Sequence, residues 1–338
     1  MTCTWLGSRA VAGRRTSGGR GARAVVRAAF VVLLAGVATM TASPASAAAP
    51  PLSSPTIVGH FDLAAGQQPE NITLLPDGSP VVTFSFARQV ARIDRSGGAH
   101  ILATLPAPPP GSTPPPIAGA PVVTGVVRAD DGALFVNYAA GTAKLTGTWV
   151  LRPGRSPHRI AALPAGGFPN GLALDARGNY LYAVDSVPGS VWRIPVDGGA
   201  ARVWASGRPL ALVSLLGANG IKVHHGAVWV TNTDRATLLR IPVTSKGAAG
   251  RAQVVASGLT GVDDFAFTGR GDTVLAALNV PNEVALVRVN GTHTIVLTGD
   301  DGLQNPTAVA VRCGKVLVAS AAYFTRTDPN LLRARLEH

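Results

Sequence analysis

The chain has 338 residues, with 30 Lys and Arg against 18 Asp and Glu, a formal net charge of +12, and 14% charged residues overall. Average globular proteins carry about 25% charged residues, and only three glutamates occur here, Glu70, Glu283 and Glu337. Surface helices draw heavily on Glu and Lys, so this composition argues against a helical fold and for strands and turns.

In chain order, residues 1–47 read as a secretory signal. Arg9, Arg14, Arg15, Arg20, Arg23 and Arg27 form a basic leader, Ala28 to Met40 is a short apolar run, and Ala45-Ser46-Ala47 fits a small-residue cleavage site. The apolar run is 13 residues, shorter than the roughly 20 needed to span a bilayer. The expectation is a secreted protein, cleaved near Ala47, with no stable membrane association. Cleavage removes Cys3, so no intrachain disulfide is expected in the mature chain, and Cys313 in AVAVRCG reads as a buried thiol on a strand. It also removes six positive charges, and much of the remaining excess is one Arg per repeat (Arg92, Arg152, Arg193, Arg240, Arg288, Arg333). Such charge spreads around a rim, so no nucleic-acid partner is expected.

After a short linker, 48–55, one phrase recurs six times: PENITLLPDG, VTGVVRADDG, PNGLALDARG, ANGIKVHHG, VDDFAFTGRG and PTAVAVRCG. Each has a polar head, an alternating apolar run and a Gly turn, and the heads are Glu70, Thr124, Asn170, Asn219, Asp263 and Thr307. They recur every 44 to 54 residues. Runs such as YLYAVD, AVWVTN and KVLVAS have the period of two that strands require. Each repeat resolves into four such runs. The fourth appears as HILATL, HRIAAL, ARVWAS, AQVVAS and HTIVLT, but no copy follows the sixth repeat, which ends in LLRARLEH. A spare copy, TIVGHF at 56–61, precedes the first.

This permutation predicts an all-β, six-bladed β-propeller over 56–338, with four-stranded blades, closed by the N-terminal strand completing blade six. In that arrangement the six heads converge on one axis. The Pro-rich segment 106–121 and the apolar segment GRPLALVSLLGA, 207–218, become loops on the same face as the heads. His224 and His225 fall in a turn at the opposite end, as does Arg270-Gly271-Asp272, and His60, His100, His158 and His293 lie at or beside outer strands.

Glu70, Asn170, Asn219 and Asp263 offer carboxylate and amide oxygens without His or Cys beside them, a donor set that suits Ca²⁺ better than zinc, though another divalent cation would also fit. The threonine heads do not look like ligands. PEN at 69, FPNGLALDARGNYLYAVDS at 168, GANGI at 217 and GVDD at 261 resemble the gluconolactonase, senescence-marker and luciferin-regenerating enzyme family and the related paraoxonases. The resemblance implies a divalent ion, usually calcium, on the propeller axis, polarising the carbonyl of a lactone or ester. It makes Glu70 and Asn170 ligands by phrase, and it puts an amide, Asn219, where gluconolactonases usually carry an aspartate thought to act as general base. The paraoxonase histidine dyad has no counterpart, since its first position falls near Thr124-Gly125.

The chemistry expected is metal-assisted hydrolysis of a small-molecule lactone or ester, with Asp263, Asp264 or Asp185 as the carboxylate that activates water. The other reading is a non-catalytic propeller whose calcium is structural and whose top face binds a ligand or a protein. No G-x-S-x-G phrase occurs, which argues against a serine hydrolase.

Overall fold

The computed structural model describes residues 51–175 and 179–337; the leader, Cys3 and the cleavage site lie outside them. Six four-stranded antiparallel sheets form the blades of a propeller. From the axis outward, blade one is β2 (Pro69–Leu74), β3 (Pro80–Phe84), β4 (Gln89–Ile93) and β5 (Ala99–Thr104). Blade two is β6 (Val122–Arg128), β7 (Leu134–Ala139), β8 (Gly147–Leu151) and β9 (His158–Ala162); blade three is β10 (Pro169–Asp175), β11 (Tyr180–Asp185), β12 (Ser190–Pro195) and β13 (Arg202–Ser206). Blade four is β14 (Ala218–His224), β15 (Ala227–Asn232), β16 (Thr237–Pro242) and β17 (Gln253–Ala256); blade five is β18 (Val262–Phe267), β19 (Val274–Leu278), β20 (Glu283–Val287) and β21 (His293–Leu297). Blade six is β22 (Pro306–Arg312), β23 (Lys315–Ser320), β24 (Asn330–Leu336) and the displaced β1 (Leu52–His60).

The expected closure is present, and β1 begins at Leu52, so residues 52–55 belong to the strand and not to a linker. It pairs antiparallel with β24, Leu52 opposite Leu336 and His60 opposite Asn330. Packing confirms that the join is complete. The buried apolar clusters fall between neighbouring blades, and Phe61, Ile72, Val82 and Phe84 meet Ala308, Leu317, Ala319 and Leu331 across the blade six to blade one interface as other residues do elsewhere.

Burial follows the radius. Second strands such as β7 and β15 are buried along their whole length because a neighbouring blade covers each face. Outer strands such as β5 and β21 are largely exposed. Cys313 departs from expectation: β22 ends at Arg312, and Cys313 is exposed in the following turn at φ 49°.

Each inner strand breaks its ladder at the head position. Register shifts bracket Glu70, Thr124, Asn170, Asn219, Asp263 and Thr307 in turn. A bulge there re-aims the side chain and leaves backbone carbonyls without ladder partners. The preceding blade supplies donors to them. Thr83 Oγ1 donates to Thr124 O, Asn137 Nδ2 to Asn170 O, Ser186 Oγ to Ala218 O, Thr231 Oγ1 to Asp263 O, Asn279 Nδ2 to Pro306 O, and Thr307 Oγ1 to Pro69 O.

Neighbouring inner strands approach closely at the residue after the head. A Cβ on Gly171 would lie 2.4 Å from Asn219 O, and Gly125 and Gly220 are in the same position against the next blade. Gly171→Ala is therefore expected to destabilise the propeller by about 1–3 kcal/mol through overpacking, seen as a lower Tm in thermal denaturation. Gly166→Ala, where a Cβ meets nothing within 4 Å, should stay within about 0.5 kcal/mol of the parent. Equal Tm values for the two variants would refute the close approach.

Candidate cation centre on the propeller axis

The heads open into a pocket of about 370 Å³ on the face carrying the blade-to-blade connections. Its floor carries Glu70, Thr124, Asn170, Asn219 and Asp263, so the four residues expected as ligands are brought together. The threonines are spent differently. Thr124 Oγ1 donates to Pro169 O at 2.9 Å and Thr307 Oγ1 to Pro69 O at 2.8 Å, so both tie strands together in place of presenting oxygen.

The amides are oriented by their donors. Asn170 Nδ2 donates to Ser186 Oγ at 3.3 Å. Asn219 Nδ2 donates to Thr233 Oγ1 at 3.0 Å. With the amide hydrogens so engaged, the carbonyl oxygens remain for the pocket.

The carboxylates are crowded and unneutralised. Burial pushes the Glu70 pKa up to about 7 against the pull of the Tyr323 hydrogen bond, and the Asp264 charge adds to the rise. Burial, then the charges of Glu70 and Asp264, holds Asp263 well above the carboxylate range, although the Asn219 amide and Lys222 act the other way. Among the described residues no Lys or Arg forms an ion pair with either. One buried and one half-buried carboxylate with two amide oxygens, and no counter-charge, fit a hard divalent cation of the calcium type.

Asp264 and Asp185 are placed elsewhere. Asp264 is buried one layer along the axis, held by Lys222 Nζ at 2.6 Å from Oδ1 and by Asn71 Nδ2 at 2.9 Å from Oδ2. Asn71 and Asp264 follow the heads of blades one and five, where Gly125, Gly171, Gly220 and Ala308 stand in the other blades; the small residues leave room for that contact. Asp185 does not line the pocket. It accepts the Phe168 N–H at 2.6 Å and braces the segment entering β10, and burial raises its pKa despite backbone bonds from Phe168 and Val187.

Tyr323 escaped the sequence analysis. Its hydroxyl donates to Glu70 Oε2 at 2.5 Å and lies 2.9 Å from Ser85 Oγ. Burial, then the Glu70 charge, raises its pKa well above the usual phenol value, so it remains a donor at neutral pH. The loop that carries it is fixed by Gln68 Nε2 donating to Ala321 O and by Asn305 Oδ1 accepting the Phe324 and Thr325 N–H groups.

The pocket walls are apolar, built by Phe86, Val122, Phe168 and the two loops singled out from sequence, through Ile117 and Ala118 of one and Leu215 and Leu216 of the other. Asp234 anchors the second loop by accepting the N–H groups of Val213, Ser214, Leu215 and Leu216. Burial alone would raise its pKa; the backbone donors outweigh that and lower it to about 2.

No family model matches the sequence, and comparison with curated proteins gives no match. Solved structures of the same architecture include a gluconolactonase from Xanthomonas campestris (16% identity, TM-score 0.60, covering 87% of this chain and 99% of that one). A calcium-binding protein, regucalcin, from Agrobacterium tumefaciens is similar (14%, 0.60, 82% and 93%), as is virginiamycin B lyase from Staphylococcus aureus (12%, 0.57, 84% and 99%). At these identities the likeness establishes the fold. The resemblance carried by the PEN, PNG, ANG and VDD phrases holds at that level, since gluconolactonase, regucalcin and luciferin-regenerating enzyme structures share the propeller.

The raised carboxylates make a pH prediction. In chelator-treated protein, Glu70 binds a proton between pH 4.5 and about 7 that the unfolded chain has released, so stability falls as pH rises through that window, by roughly 3 kcal/mol from this group. Tyr323→Phe, which removes a bond that lowers the Glu70 pKa, should extend the fall to higher pH. Thermal unfolding from pH 4.5 to 8.5 measures both, and a flat profile for the parent protein would contradict the unneutralised site.

Proposed function

We propose that the protein is a secreted, calcium-dependent hydrolase of lactones or esters, acting in the axial pocket. The observation that carries this reading is the pair of buried Glu70 and half-buried Asp263, without a counter-charge, at the floor of an apolar-walled pocket. The likeness to a gluconolactonase and to a calcium-binding regucalcin supports it at the level of architecture.

Glu70, Asn170, Asn219 and Asp263 would hold the ion. Bound there, calcium supplies Lewis-acid polarisation of the substrate's acyl carbonyl. Phe86, Phe168, Leu215 and Leu216 seat the hydrocarbon part of the substrate and exclude bulk water. Tyr323 and Ser85 keep Glu70 in one orientation. Of the three carboxylates expected to activate water, Asp263 alone lines the pocket, and a carboxylate has two oxygens, one to hold an ion and one to accept a proton.

A second reading has its own observation. Asn219 is an amide, Asp264 is bound to Lys222, and Asp185 faces away from the pocket, so Asp263 must serve as both ligand and base. A site whose two carboxylates, Glu70 and Asp263, are both engaged in holding the ion, with no third to act as base, also suits a structural ion beneath a ligand-binding face.

The two readings part in one assay. The protein is offered γ- and δ-lactones and aryl esters with Ca²⁺ and with chelator. The hydrolase reading expects calcium-dependent turnover that falls at least about 100-fold in Asp263→Asn and in Glu70→Gln. No turnover on any substrate, together with a large chelator-induced fall in Tm, would replace it with the structural ion.

A further inference from the structure

On the face opposite the pocket, the turn after β14 meets the turn between β18 and β19. His224 Nε2 lies 3.4 Å and His225 Nδ1 2.9 Å from the same atom, Asp272 Oδ1. Ligand atoms of the three residues all lie within 4.8 Å of one another. We propose that His224, His225 and Asp272 form a binding site for a borderline divalent metal of the zinc class, stapling blade four to blade five.

The distances match the shape of such a site. With metal–nitrogen and metal–oxygen bonds of about 2.0–2.2 Å, neighbouring ligand atoms of a tetrahedral centre stand about 3.3 Å apart. The two histidine-to-aspartate separations bracket that value. Two imidazoles and one carboxylate favour zinc, cobalt, nickel or copper over calcium or magnesium, which prefer oxygen alone. Three protein ligands near the surface leave the remaining position to water.

The site is built on both sides. The His224 ring stacks on Phe267 with centroids 3.8 Å apart and an interplanar angle of 21°, which fixes its plane. His225 takes a left-handed conformation, φ 45°, that turns two consecutive histidines toward one carboxylate. Two other contacts, His60 with Asp328 and His100 with Asp94, are surface His–Asp pairs without a second histidine. They are the internal control for what an ordinary pair does.

The site stands apart from the axial pocket, so its test does not depend on the proposed hydrolase. Protein without a polyhistidine tag is titrated with Co²⁺ and followed by visible absorption. One equivalent should give the intense bands of a tetrahedral centre, Zn²⁺ should abolish them, and Ca²⁺ in excess should not. His225→Ala and Asp272→Asn, both at surface turns, should each weaken binding by at least about tenfold, while His60→Ala and His100→Ala leave it unchanged. Lack of saturable uptake overturns the proposal, as does uptake unaffected by both turn substitutions or lost in His60→Ala or His100→Ala. Circular dichroism of each variant separates loss of ligand from loss of fold.

Discussion

The propeller depends on how the chain treats the bulge at the start of each inner strand. A regular ladder would point the head side chain along the sheet normal and pair every carbonyl within the blade. The bulge breaks that pairing, and a buried carbonyl without a donor costs on the order of 1–3 kcal/mol. The cost is offset only when the preceding blade stands close enough for a Thr, Asn or Ser side chain to reach across. Thr83, Asn137, Ser186, Thr231 and Asn279 do so between successive blades, and Thr307 does so across the closure. The same defect that aims the heads at the axis therefore also joins the blades in a ring.

The electrostatics of the site follow from that geometry. Six inner strands converge on a narrow axis, so any acids among the heads are forced together and away from water. Glu70 and Asp263 meet this way and become weak acids. Asp264, one residue along, meets Lys222 and Asn71 instead and is held as half of a partly buried ion pair. The axis thus carries two layers of different character, one poised to take up positive charge and one already neutral.

Loops on the two faces do different work. On the pocket face long connections are pinned by polar side chains, half-buried Asp234 under the segment 213–216 and buried Asn305 under the loop carrying Tyr323, so apolar walls are held in place without packing into the core. On the other face the connections are tight turns. Adjacent blades bring those turns within contact of each other, which is how two histidines of blade four reach an aspartate of blade five.

The repeats by themselves determine much of this architecture. Period-two runs, the Gly turns and the displaced TIVGHF copy specify blade number and closure, because a strand missing at one end and spare at the other has one economical place to go. The heads, including Glu70, Asn170, Asn219 and Asp263, were legible because equal positions in a closed repeat array must share the axis. The tertiary structure decided what the repeat cannot encode. A bulge suspends the strict alternation of faces, so the pattern could not say that Asp263 enters the pocket while Asp264 turns to Lys222. Asp185 ends a strand at the level of the ring, yet its Oδ1 accepts the Phe168 N–H in place of entering the pocket. Tyr323 reaches Glu70 across 253 residues of sequence, from a loop that belongs to no repeated run. Periodicity fixes which residues lie at the same radius and height; contacts between different blades arise only when the ring has closed.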